Sequence, residues 1–114
     1  MSQNSANKFN LSLFIFRRDL RLYDNSGLKN ALSQSKQVLP CFFLEDHYLD
    51  PDNNKFYRPN ALEFLFESLL ELNEKLQLLG SKLFIFKGSL YQNFERLVID
   101  QKIEAVFLNE DYSP

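Results

Sequence analysis

Four short, nearly unbroken apolar runs, Leu11–Phe16, Val38–Leu44, Leu83–Phe86 and Ile103–Leu108, alternate along the chain with segments of helical period. Apolar runs of that length read as strands buried on both faces, as the strands of a parallel sheet are. Strand, helix, strand, helix, strand, helix, strand is the order that builds such a sheet through right-handed crossovers, with helices on both faces. The chain is thereby restricted to the α/β class, and a Rossmann-like open parallel sheet of order 3-2-1-4 is predicted.

The helical segments carry their own punctuation. The first is predicted near Gly27–Ser33 with Leu28, Ala31 and Leu32 inward, and Asp24, Asn25 or Ser26 can each cap its free N–H groups. Pro59 opens the second, in which Leu62, Leu65, Phe66, Leu69, Leu72, Leu76 and Leu79 recur at spacings of three and four. Glu63, Glu67, Glu71, Glu74 and Lys75 fall off that face, and Gly80 closes the helix as a left-handed cap. Ser89 and Gln92 have the spacing of a capping box, ahead of a third helix with Leu90, Phe94, Leu97 and Val98 inward. Pro40 removes a ladder donor, so the second strand is expected to start at an unpaired position or to carry a bulge there. Residues 45–58 show no period and are predicted to be a long loop.

With 114 residues, 45% hydrophobic and 25% charged, the chain has the balance of one ordinary globular domain with one core. The formal charge of -2 supplies no global field that would draw nucleic acid or an anionic membrane. Cys41 is alone, so an intrachain disulfide is excluded and a reducing compartment is the simplest setting. No run approaches the roughly 20 apolar residues of a membrane span. Met1–Lys8 is polar and is expected to be disordered, which leaves residues 9–114 as the domain and a cytoplasmic location as the expectation.

In open α/β sheets ligands lie at the carboxyl ends of the strands. The loop after the first strand holds Arg17, Arg18, Asp19 and Arg21, and the loop after the fourth holds Asn109, Glu110 and Asp111. In a 3-2-1-4 sheet these loops flank the topological switch point and form a polar crevice with a basic and an acidic wall. The arginines either grip a phosphate or cofactor or pair with Asp19, Asp24 and neighbouring carboxylates. Neither G-x-G-x-x-G nor G-x-x-x-x-G-K-[ST] is present. His47 is the single histidine, Cys41 reads as an inert core residue, and the five tyrosines read as surface or pocket-edge residues. No catalytic set and no metal-ligand set can be assembled from these residues.

Phe14-Ile15-Phe16-Arg17-Arg18-Asp19-Leu20-Arg21, followed by Asp24-Asn25 and Leu28, resembles the opening W-F-R-x-D-L-R-x-x-D-N-x-A-L of the DNA photolyase and cryptochrome family. Asn60-Ala61-Leu62-Glu63-Phe64-Leu65 with Glu67-Ser68-Leu69 is similar to its N-R-x-x-F-L-x-x-S-L. Gly80-Ser81-Lys82-Leu83 is similar to its G-S-x-L, Gly88 to the glycine after its third strand, and Asn109-Glu110-Asp111-Tyr112 to its N-x-D-Y. The resemblance implies an N-terminal α/β domain, here ending before its last helix and fifth strand, that lies against a C-terminal helical domain holding FAD. Light-driven repair of pyrimidine dimers in damaged DNA would belong to the full-length lyase, and this chain alone would be inactive.

The resemblance also implies an antenna chromophore, a folate, deazaflavin or flavin, in the crevice. The positions that match cofactor-binding residues of deazaflavin-binding members are Arg18, Phe42, Glu45 and Asp111. Ala61 and Ser113 stand where those members carry an arginine and a glutamate. A cryptochrome-type blue-light sensor and a Rossmann-like nucleotide-binding domain are the alternative functions. The fourth strand is expected to be an open sheet edge through which chains self-associate.

Overall fold

The computed structural model describes residues 8–17, 20–45 and 59–109, with the backbone alone at 59–61. The elements run β1 (Phe9–Phe16), α1 (Ser26–Gln34), β2 (Ser35–Leu44), α2 (Pro59–Leu78), β3 (Phe84–Lys87), α3 (Leu90–Glu95) and β4 (Ala105–Leu108), and α3 continues as a π-helical stretch over Arg96–Asp100. All strand pairs are parallel, in the predicted order β3-β2-β1-β4. β1 is central: Phe14 lies opposite Pro40 on one side and Phe107 on the other.

The sheet grows one way through β1, β2 and β3 and then reverses to place β4 on the other side of β1. Right-handed crossovers therefore put α1 and α2 on one face and α3 on the other. The core is split accordingly. Phe14, Phe16 and Phe42 pack with Leu28 and Ala31 of α1 and with Leu69, Leu72 and Leu76 of α2. On the opposite face Leu13, Ile15, Cys41 and Phe43 pack with Leu97 and Ile103. The alternation of side chains along each strand sorts the two sets, and because both are apolar the runs look continuous in sequence. Phe14 and Phe16 meet edge to face at 4.9 Å, and Phe43 stacks on Phe86 at 5.3 Å. Among the described residues two polar ones are buried within the strands, Ser12 of β1 and Ser35 at the start of β2, and their hydroxyls are hydrogen-bonded to each other at 2.7 Å.

Several expectations change in detail. β1 and β2 begin before their apolar runs, and Lys8 N donates to Gln34 O at 2.8 Å. β3 has the predicted length but lies one residue later, at Phe84–Lys87, and β4 is shorter than predicted, beginning at Ala105. Pro40 lies in mid-strand with the β1–β2 register unbroken from Leu11 to Phe16, so no bulge is present on that side. β3 begins only opposite Cys41, so at Pro40 the other side of β2 has no partner among the described residues and the absent N–H costs no ladder bond there.

Leu32 is exposed, because α1 meets the sheet through a narrow stripe of Leu28 and Ala31. Phe66 turns outward one residue beyond Leu65. Leu79 is exposed because it lies past the end of α2, in a turn closed by Ser81 N donating to Leu76 O and Gly80 N donating to Gln77 O. In α3 the inward stripe is Leu90, Asn93 and Leu97, while Phe94 and Val98 face out. Asn93 takes the inner position because its side-chain amide donates to Lys87 O and Ser89 O. The capping box predicted for Ser89 and Gln92 is present in both directions. Gly80 and Gly88 both occupy the left-handed region, at φ 83° and 92°.

Candidate functional site

The reversal of strand order places the carboxyl ends of β1 and β4 side by side, and α1 starts between them. Asp24, at φ 54°, turns the chain into Asn25, which caps α1. Asn25 Oδ1 accepts from Leu28 N at 3.0 Å, and Asn25 Nδ2 donates to Arg21 O at 2.8 Å. Asn109, the first residue after β4, completes the arrangement. Its Oδ1 accepts from Gly27 N at 2.7 Å and its Nδ2 donates to Asn25 Oδ1 at 2.7 Å. The loop after β1, the N terminus of α1 and the exit of β4 are thus joined by two carboxamides. Asn25 is 6% exposed, and among the described residues no buried side-chain polar atom lacks a partner. Bonds of this kind are worth about 1 kcal/mol each when made and cost more when a buried partner is left unpaired.

Position 27 has no room for a side chain. A Cβ there would stand 2.3 Å from Asn109 Oδ1 and 3.1 Å from Phe14 Cε1. Glycine is required by close approach, since the backbone at 27 is not left-handed.

Two grooves flank the loop. One, of about 560 Å³, is lined by Leu22, Tyr23, Asp24 and Ser26 with Lys29 and Leu32 of α1. The other, of about 290 Å³, lies between Leu20 and Phe64, Leu65, Ser68 and Leu72 of α2. The larger falls within the span of roughly 300–1,000 Å³ usual for small-molecule sites.

Of the cofactor-binding positions, Phe42 is 1% exposed and its ring belongs to the core beneath α1 and α2. Glu45 is half-buried directly after β2. Arg18 and Asp111 lie outside the described residues, as do Asp19, His47 and Glu110. Arg17 and Arg21 are exposed at the crevice loop and each engages a neighbour. Among the described residues no group of His, Cys, Asp and Glu has the makings of a metal site. Burial pushes the Cys41 thiol up to about 12, which keeps it protonated and inert in its strand. No helix among the described residues is long and apolar enough to cross a membrane.

In the sequence Asn25 is one of three candidate caps, with Asp24 and Ser26, and Asn109 a loop residue, and nothing joins the two. The two are 84 positions apart, and no local spacing encodes a contact that exists only because β4 pairs with β1.

Comparison with known proteins agrees with this geometry. The chain is 35% identical over 102 residues to a deoxyribodipyrimidine photo-lyase of Synechococcus sp., covering 90% of this chain and 20% of that protein. It is 31% identical over 108 residues to the cryptochrome DASH of Idiomarina loihiensis, with 90% and 23% covered. Among solved structures it superposes on an archaeal photolyase of Sulfolobus tokodaii, described as containing two FAD molecules and implying a novel light-harvesting cofactor. That match has a TM-score of 0.78 and 41% identity and covers 91% of this chain and 23% of that one. The chain spans about a fifth of the length of these relatives. The DNA photolyase family model matches residues 12–114, and with the parallel 3-2-1-4 sheet this places the chain in the DNA photolyase family as an N-terminal portion of it.

Proposed function

We propose that the chain is the antenna-chromophore domain of a deoxyribodipyrimidine photolyase, a lyase that uses light to repair pyrimidine dimers in DNA. It would work with a C-terminal helical domain that holds FAD and, through the full-length protein, with damaged DNA. A bound antenna chromophore would supply collected light energy to that flavin. The observation that carries the reading is the parallel 3-2-1-4 sheet with its switch point between β1 and β4, where the N terminus of α1 is met by Asn109 and where the sequence has no glycine-rich phosphate cradle. A nucleotide-binding domain would need the first-turn N–H groups of α1 open, and those of Gly27 and Leu28 are engaged by Asn109 and Asn25.

Arg18 and Asp111, one from each loop, offer a donor and an acceptor to the polar edge of a chromophore ring, with Glu45 as a further acceptor. Phe42 would act from the core, as the packed support beneath the site. A cryptochrome-type sensor domain is the second reading, favoured by the similarity to a cryptochrome DASH.

The test is fluorescence titration of the chain with riboflavin, FMN, FAD and a methenyl folate. Saturable one-to-one binding of one of these is expected, weakened at least about tenfold by Arg18→Ala or Asp111→Ala. A folded chain that binds none of them up to about 100 μM would refute the antenna role. Dimer repair under blue light by the full-length protein separates lyase from sensor.

A further inference from the structure

The amino end of a helix that follows the first strand of a parallel sheet is where nucleotide ligands place their phosphates, because the free N–H groups and the helix dipole both favour an anion. In this chain that end is already occupied. Gly27 N donates to Asn109 Oδ1 at 2.7 Å, Leu28 N to Asn25 Oδ1 at 3.0 Å, and Lys29 N to Asn25 O at 3.0 Å. The two side chains hold each other through Asn109 Nδ2 and Asn25 Oδ1, and Asn25 is tied back to Arg21 O.

A phosphate oxygen reaching Gly27 would have to take the place of Asn109 Oδ1. That displacement breaks two short hydrogen bonds and leaves Asn25, which is 6% exposed, short of a donor. The carboxamide is supplied by the same chain from a fixed strand end, so it competes as an intramolecular ligand against one that must come from solution. The absent side chain at Gly27 makes room for that one oxygen and for nothing larger, since Phe14 Cε1 stands on the other side.

We infer that Asn109 is a specificity-determining residue of the crevice: its carboxamide closes the N terminus of α1 to phosphate, so that a ligand is chosen there by its ring system and not by a phosphate group. The choice of ring rests on the antenna reading; the closure of the helix end does not.

Amide NMR of the chain tests both parts. With inorganic phosphate raised to about 20 mM, far above the level a phosphate-binding helix end needs, the Gly27 and Leu28 amides of the wild type are expected not to shift. Gly27 is expected to exchange slowly with solvent, and Asn109→Ala to speed its exchange at least about tenfold while Leu28, held by Asn25, changes less. Asn109→Asp keeps an acceptor and is expected to retain the protection of Gly27. Riboflavin and FMN are expected to bind within about threefold of each other.

A saturable phosphate shift at Gly27 in the wild type would overturn the inference. So would unchanged Gly27 exchange in Asn109→Ala, or FMN binding at least about tenfold tighter than riboflavin with a shift at Gly27. If Asn109→Ala does not fold, the wild-type phosphate titration decides alone. If a folded chain binds no flavin, the antenna reading is at fault, and the phosphate titration and the exchange rates still decide the role of Asn109.

Discussion

Replacing Gly27 by alanine measures how strongly the two loops are held together. The added methyl would stand 2.3 Å from Asn109 Oδ1 and 3.0 Å from its Cγ, so the carboxamide must leave. The ring of Phe14, at 3.1 Å, must also yield by a few tenths of an ångström inside the core. What is lost is the bond from Gly27 N and the bond from Asn109 Nδ2 to Asn25, about 1 kcal/mol each. The part-buried N–H at 27, left without its acceptor, adds about 1 kcal/mol more. Against this, alanine is a better helix former than glycine by up to about 1 kcal/mol.

The net is a loss of about 2 kcal/mol, or roughly 10 °C in Tm for a domain of this size. Asn109→Ala removes the nearer obstruction and leaves the Phe14 contact, which offsets the gain in helix propensity, so in that background Gly27→Ala is expected to be close to neutral. Chemical denaturation of the four proteins of this cycle gives a coupling expected near 2 kcal/mol in size. A Gly27→Ala protein as stable as wild type, or a coupling below about 0.5 kcal/mol, would refute the argument that the carboxamide is wedged against the glycine.

Gly80→Ala and Gly88→Ala both force alanine into the left-handed region at a cost of about 1–2 kcal/mol, but only at 88 does the new methyl meet a neighbour, Gln92 Oε1 at 2.4 Å. That oxygen closes the capping box on Ser89 N, so Gly88→Ala is expected to lower the urea midpoint further than Gly80→Ala, by the equivalent of about 1 kcal/mol; equal midpoints would mean that the box contributes nothing. Burial raises the Cys41 pKa from 9.0 to about 12, so the folded state keeps a proton that the unfolded chain loses. The stability this contributes is present in full below pH 9 and is expected to fall as pH rises through 9 to 12. The same burial predicts that thiol alkylation at neutral pH follows the rate of opening, which Cys41→Ser in the pH titration and iodoacetamide labelling in urea would check.

The class of fold was legible because apolar runs too short for helices alternate with segments of clear helical period, whereas right-handed crossovers allow more than one order of four parallel strands, so the predicted order 3-2-1-4 was one of several until the pairing of β4 with β1 fixed it. Leu69, Leu72 and Leu76 announced the buried face of α2, and Ser89 with Gln92 announced the start of α3, since both are local rules of spacing. Local rules failed where a neighbour chose the face. Leu32 and Phe94 are apolar at helical spacing yet lie outside, because Ala31 and Asn93 take the contact positions beside them. Asn93 is inside because its amide reaches two carbonyls at the end of β3, a requirement of geometry that hydrophobicity does not register. The loops that flank the crevice could be named from the sequence once the order 3-2-1-4 was drawn. That Asn109 reaches Gly27 and Asn25 across more than 80 residues was decided by the parallel pairing of β4 with β1 alone, for only that pairing sets a carboxamide on the amino end of α1.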